Sequence, residues 1–218
     1  MLPIVCVVGA SNVGKTTFLE KLIPELTKRG YRVGCLKHDA HSFEMDHPGK
    51  DTYRHRQAGA RTIAIASPDQ VAAIRRVDSE PSPEEMAARL FWDEDILLTE
   101  GYKRSNLPKI EVFRSAIESK PICTREDHLV ALVTDDAVDV QVPRFRFHEA
   151  DKVADFIEER FLKHRKKHGV LVQLDGKQLP MKEFVRDFVV GAIRGMLSSL
   201  RGWEDPRTVH IHIRLKDR

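Results

Sequence analysis

The chain has 218 residues and a formal charge of +3. That length holds one α/β domain and a small extra unit, and so modest a charge points neither toward nor away from nucleic acid. Three cysteines, Cys6, Cys35 and Cys123, form no Cys-x-x-Cys pair. They argue against a disulfide framework and read as buried thiols in a reducing cytosol. No apolar run approaches membrane-spanning length, and the N-terminus reads as a core strand rather than a signal peptide. The expectation is a soluble, cytoplasmic protein.

Ile4-Val5-Cys6-Val7-Val8 is a continuous apolar run, and Phe18, Leu19, Leu22, Ile23 and Leu26 recur at helical spacing. Between this strand and this helix stands Gly9-Ala10-Ser11-Asn12-Val13-Gly14-Lys15-Thr16, a complete G-x-x-x-x-G-K-T phosphate loop in the context it needs. The glycines let successive N–H groups turn toward phosphate oxygens, and the new helix adds its positive end. Lys15 reaches the terminal phosphates and the Thr16 hydroxyl sits on Mg²⁺. A ligand-free Gly-rich turn is the competing reading, and the correct flanks weigh against it. The motif specifies a nucleoside triphosphate and magnesium. It names neither the base nor the reaction.

Tyr31 to Leu36 reads as a second strand after a helix stopped by Gly30. Its carboxyl end carries Lys37-His38-Asp39-Ala40-His41, at the edge where an open parallel sheet faces its ligand. Asp39 there can hold a magnesium-bound water or orient an attacking one, or simply start a loop. From Asp46 to Ala60 the chain is dense in cations. Lys50, Arg54 and Arg56 are candidates for phosphate contacts, although Arg54 and Arg56 cannot share one helix face. Asp51 can cap a short helix through Ala58. A zinc site from His38, His41, His47 and His55 is conceivable, but no pair has helical chelating spacing.

Thr62–Ala66 and Val71–Ile74 suggest a hairpin, and Ser82 can cap a helix from Pro83 to Phe91. Three buried strands follow, at Asp95–Thr99, Lys109–Phe113 and Leu129–Val133. The first leads into Glu100-Gly101-Tyr102-Lys103, where Glu100 is placed to bind magnesium directly or through water and Gly101 lets the chain pass close to the terminal phosphate. After the third comes Thr134-Asp135-Asp136. Asp135 is either an acceptor for guanine N1 and N2 or a cap or turn residue. Glu149 to Lys163 has one apolar helical face. Strands alternating with helices give a mostly parallel sheet flanked by helices over residues 1–165. Residues 169–218 are expected to form a separate β-α-β appendage. Its strand at Val170–Leu174 meets a tight turn at Asp175-Gly176. An amphipathic helix from Met181 to Leu200 follows, then an alternating strand from Val209 to Leu215 bearing His210 and His212. The basic run from Arg160 to His168 reads as a solvated helix end.

Taken together, Gly9–Thr17, Lys37–His41, the Asp46–Ala60 stretch and Thr99–Lys103 resemble the MobB family, over about residues 2 to 160. These are P-loop GTPases that serve as adapters in molybdopterin-guanine dinucleotide biosynthesis. The resemblance implies GTP and Mg²⁺ as ligands, weak hydrolysis, and assistance to a MobA-like guanylyltransferase. It also implies a homodimer and partners among molybdenum-cofactor enzymes or their precursors, with no nucleic acid and no membrane. By the same resemblance Gly9, Gly14, Lys15, Thr16 and Thr17 bind phosphates and Mg²⁺, and Asp39 and Glu100 lie near the metal. The basic stretch with Lys50 and Arg54 meets the pterin cofactor's phosphate or the partner. The chain has no Asn-Lys-x-Asp guanine motif. A nickel-delivery GTPase and a small-molecule P-loop kinase are the rival classes. The first lacks a His-rich N-terminal tract; a phosphorylated product would mark the second.

Overall fold

The computed structural model describes residues 2–39, 43–163, 170, 172–174, 177–206, 209–211 and 213. The chain divides into two compact units, Leu2–Arg165 and Lys166–Arg218.

The larger unit is built on six parallel strands in the order β2-β5-β1-β6-β7-β8. These are β1 Ile4–Val8, β2 Val33–Lys37, β5 Ile96–Glu100, β6 Lys109–Val112, β7 Leu129–Val133 and the two-residue β8 Arg144–Phe145. Because side chains alternate across a strand, Val5 and Val7 of β1 enter one core and Cys6 and Val8 another. The first core lies under helices α1 Lys15–Lys28 and α4 Ala150–Ile157, where Phe18, Leu22, Leu26, Val153 and Ile157 are fully buried. Each such side chain contributes roughly 1.5–3 kcal/mol of burial free energy. On the opposite face Ile4 and Leu97 pack with Ala87 of α3 Pro83–Leu90. Ser82 starts α3 with a complete capping box, its Oγ accepting from the Glu85 N–H at 3.1 Å; such a cap stabilises by about 1 kcal/mol.

A separate antiparallel hairpin, β3 Thr62–Ala66 with β4 Val71–Arg75, follows the short helix α2 Asp51–Gln57. Lys50, not Asp51, is the N-cap of α2, and it makes no side-chain cap. Asp51 instead opens the helix as its first-turn acid, where it suits the positive helix end. The predicted last helix of this unit is α4 followed by a π-helical stretch, Glu158–Leu162.

Two charged residues of β6 are buried among backbone groups. Lys109, 1% exposed, donates to the carbonyls of Ser105, Leu107 and Asp127. Glu111 accepts from the Ile122 and Cys123 N–H groups at 2.8 and 2.9 Å. Burial raises the Glu111 carboxyl above its usual range against the pull of those two bonds. Both side chains tie down the connection between β6 and β7. Cys6 and Cys123 are buried, and desolvation pushes the Cys123 thiol up to about 11. Cys35 departs from expectation: it is exposed, because β2 is the edge strand of the sheet.

In the smaller unit, β9 Gln173–Leu174 and β10 Lys177–Gln178 form an antiparallel hairpin that precedes helix α5 Glu183–Ser198. The turn at Asp175-Gly176 lies outside the described residues. The order here is hairpin then helix, with no strand assigned at 209–211 or 213; His212 and residues 214–218 lie outside the described set. Alternation creates a strand only where a neighbour accepts its hydrogen bonds, and none pairs with this segment among the described residues. On α5, Phe184 and Phe188 are 71% and 74% exposed, while Val185, Val189 and Ile193 are half-buried.

Candidate nucleotide site

β1 stands between β5 and β6, so the crossovers on its two sides run in opposite directions. That is the topological switch point where open α/β sheets hold ligands, beyond the carboxyl ends of the strands. The loop Gly9–Gly14 leaves β1 there. Gly9 has φ +143° and Gly14 φ +102°, and Asn12 also adopts a positive φ of 60°. A Cβ on Gly9 would lie 2.3 Å from the Val112 carbonyl oxygen. The loop therefore packs against β6 through bare backbone.

Gly14 is the N-cap of α1, with no side-chain cap and no acid in the first turn. The helix N-terminus thus keeps its donors and its positive end for an external anion. Lys15 folds back across the loop, its Nζ donating to the Ala10 carbonyl at 2.7 Å and to the Gly9 carbonyl at 3.2 Å. Burial lowers its pKa; the Glu100 carboxylate opposes this, while the charges of Lys37 and Lys103 reinforce it. Four cationic features, counting the helix end, gather at one loop. That field suits a polyphosphate.

The metal-side residues also meet. Thr16 Oγ1 donates to Glu100 Oε2 at 2.9 Å, so the loop hydroxyl and the carboxylate ending β5 face a common point. Hard oxygen donors of this kind suit Mg²⁺, which takes one or two protein ligands and keeps its waters and phosphate oxygens. The His38 N–H donates to the Glu100 carbonyl at 2.9 Å, and the Gly101 N–H to the Val7 carbonyl at 3.0 Å. These bonds hold the end of β2 and the β5 turn beside the loop. Gly101 has φ +105°, and a Cβ there would come within 3.1 Å of His38 Cβ. Asp39 is exposed just beyond β2; Ala40 and His41 lie outside the described residues.

On the other side of β1, the turns after β6, β7 and β8 are joined to one another. Asp135 Oδ1 accepts from the Phe147 N–H at 3.3 Å, and Asp136 Oδ2 from the Ser115 N–H at 2.7 Å. The Ser115 hydrogen bonds, first its backbone N–H, hold the Asp136 carboxyl below the usual carboxylate range. Asp135 therefore has a turn-fixing role in addition to whatever it offers a base.

Lys50 and Arg54 are placed differently. Both are exposed on α2 or at its cap. Arg54 faces Asp51 at 3.9 Å, and no hydrogen bond or ion pair among the described residues joins either side chain to the phosphate loop. Of the four histidines weighed as a zinc site, His41 lies outside the described residues; among the described residues, no group of three or more His, Cys, Asp or Glu is set to hold a metal. His38 instead pairs with Glu80 through Nε2 at 2.6 Å and lies against the Tyr102 ring at 4.5 Å between centroids.

Sequence reasoning passed over Glu80 and, next to the loop, Arg114 and Phe147. Arg114 carried a signal of position, since it directly follows the apolar strand Lys109–Phe113; Phe147, two residues beyond the short β8, carried none.

Comparisons with known proteins bear on the family and the fold. Residues 4–135 match the family described as Molybdopterin guanine dinucleotide synthesis protein B, MobB. A molybdopterin-guanine dinucleotide biosynthesis adapter protein of Escherichia coli (strain K12) is 33% identical over 163 residues, covering 73% of this chain and 93% of that protein. A putative adapter protein of the same description from Methanocaldococcus jannaschii is 25% identical over 235 residues, 96% of this chain and 97% of its own. That match extends through the smaller unit. The crystal structure of Bacillus subtilis MobB superimposes with a TM-score of 0.59 at 28% identity, covering 75% of this chain and all of that one. With a P-loop fold, a matched family profile and relatives matched over nearly their full length, the chain belongs to the MobB family.

Proposed function

We propose that the chain is a magnesium–GTP-holding adapter in molybdopterin-guanine dinucleotide biosynthesis, working in the cytoplasm beside a MobA-like guanylyltransferase and hydrolysing GTP slowly at most. The observation that carries this reading is the 2.9 Å bond from Thr16 to Glu100 beside an uncapped α1 N-terminus. That bond sets the loop hydroxyl and the Glu100 carboxylate beside the free N–H groups of the helix end. The backbone N–H groups of Ala10, Ser11, Asn12, Val13 and Gly14, with Lys15 and Thr17, would hold the phosphates. Thr16, Glu100 and, through water, Asp39 would hold Mg²⁺. Bound magnesium supplies charge neutralisation between the outer phosphates. Asp135 is proposed to accept from the base. Lys50 and Arg54 are assigned to a second phosphorylated ligand or to the protein partner, which accords with their exposed position on α2.

Slow turnover is part of this reading, since no arginine finger or activating glutamine can be picked out from the sequence. Such groups and trans-acting arginines raise rates by about 10³–10⁵, so faster hydrolysis would need a partner. Residues 1–165 form the nucleotide-binding domain in this reading, and 169–218 an appendage to it.

A homodimer is part of the proposal. Among the described residues the β3–β4 strands pair only with each other, and Ile65 and Val71 are 63% and 73% exposed on them. A lone two-stranded hairpin is marginal in water, and its open edges are a template for another chain. Light scattering of the purified protein, alone and mixed with a MobA-like guanylyltransferase, is the test. It should give twice the monomer mass alone and a larger complex in the mixture, with guanylyl transfer to the pterin cofactor faster in that complex. A monomer that neither binds the transferase nor alters its rate would remove the adapter reading.

A further inference from the structure

We propose that Arg114 is a nucleotide-binding residue that grips the inner part of the bound nucleotide, its α-phosphate and ribose side, from across the phosphate loop. The inference rests on the loop being a nucleotide site, and it adds a contact that the loop motif does not contain. Arg114 follows β6, and its backbone is pinned on both sides. The Phe113 N–H donates to the Val133 carbonyl at 2.9 Å, and the Ser115 N–H to Asp136 at 2.7 Å. Its guanidinium carbon lies 4.3 Å from the centroid of the Phe147 ring. That ring is itself 7% exposed and set edge-on against Phe18 of α1, 6.3 Å between centroids at 88°. The same guanidinium approaches the loop, with Nη2 3.6 Å from the point where Gly14 would carry a Cβ.

Three physical points turn this placement into a binding role. Arg114 sets a fixed positive charge at the positive end of α1, an arrangement that costs free energy until an anion joins it. Among the described residues the guanidinium forms no ion pair; Asp136, tied to Ser115, feels its charge only at longer range. Stacking on an aromatic face leaves the in-plane N–H donors of arginine free, and those donors match phosphate oxygens. The side is set by topology. Glu100 and its bond to Thr16 lie toward β5, whereas Arg114 comes from β6, on the opposite flank of β1. The metal and terminal phosphate belong to the β5 flank. The β6 flank, with the joined turns at Asp135, Asp136 and Phe147, faces the inner phosphate and the nucleoside.

The test is the affinity of wild type, Arg114→Ala, Arg114→Gln and Lys15→Ala for GTP and GDP with Mg²⁺, by calorimetry, after circular dichroism confirms the same fold. Arg114→Ala and Arg114→Gln should each weaken GTP and GDP by a similar factor of about ten, the scale of one charge-assisted contact. Unchanged affinity for both nucleotides would overturn the proposal, as would a loss confined to GTP, which would move Arg114 to the terminal phosphate. Wild type that binds neither nucleotide would sink the site reading and this contact together. Wild type that binds, with Lys15→Ala abolishing binding and the Arg114 variants unaffected, would sink the Arg114 contact alone.

Discussion

Replacing Lys15 with alanine is expected to lower the affinity for GTP by about a hundredfold or more while leaving the unliganded fold intact. The ammonium is poised across the loop on the carbonyls of Gly9 and Ala10, at 3.2 and 2.7 Å, and a triphosphate offers it stronger acceptors in the same place. Charge-assisted hydrogen bonds contribute roughly 1.5–3 kcal/mol each, so losing two to phosphate oxygens gives at least that factor. The stability of the free protein should change little, because Lys15 is only half-buried at the helix end and its two bonds are to carbonyls of the loop. Calorimetric titration of the variant with Mg²⁺ and GTP, beside a urea unfolding curve, separates the two effects. Full retention of binding would show that phosphates do not sit at this loop.

Gly9→Ala is expected to be the most damaging change of a single methyl group in the larger unit. The residue has φ +143°, a region that side-chain-bearing residues occupy only at a cost of about 1–3 kcal/mol. The added Cβ would also stand 2.3 Å from the Val112 carbonyl oxygen and 3.0 Å from a Val13 methyl. Neither obstacle can step aside cheaply, since Val112 is fully buried in the β6 ladder. Relief requires β1 and β6 to part or the loop to change path. We expect a loss of about 3 kcal/mol or more in urea unfolding, with nucleotide binding lost as well. Gly49→Ala and Gly59→Ala are the controls. Both residues have positive φ, but nothing lies within 4 Å of the added carbon, so each should cost only about 1 kcal/mol. Equal damage from all three substitutions would mean that backbone angle alone, and not the close approach to β6, sets the cost.

The parts of this site that were legible in the sequence are those written locally. The G-x-x-x-x-G-K-T loop, the apolar strands β1, β5 and β7, and Ser82 with Glu85 three residues later all carry their signal in neighbouring positions. So does Glu100 at the end of a buried strand. What escaped depends on contacts made far along the chain. β8 is two residues long and is a strand only because it pairs with Leu132 and Val133. The burial of the strand Lys109–Phe113 was legible, but the partners of its two charges were not: Lys109 bonds carbonyls on either side of β6, at Ser105, Leu107 and Asp127, and Glu111 bonds N–H groups of the connection between β6 and β7. Arg114 and Phe147 meet because β6 and β8 bring their ends to the same side of the sheet. In the alternating run from Val209 no strand is assigned at 209–211 or 213, no described strand pairs with it, and its remaining residues lie outside the described set.

The most direct measurement is equilibrium titration of the intact protein with GTP and with ATP, each with and without Mg²⁺. Binding of GTP well ahead of ATP, strengthened by Mg²⁺ and weakened by Thr16→Ala or Glu100→Ala, is the expected result. Equal affinity for the two nucleotides, or binding indifferent to magnesium and to both substitutions, would contradict a magnesium–GTP site at this loop.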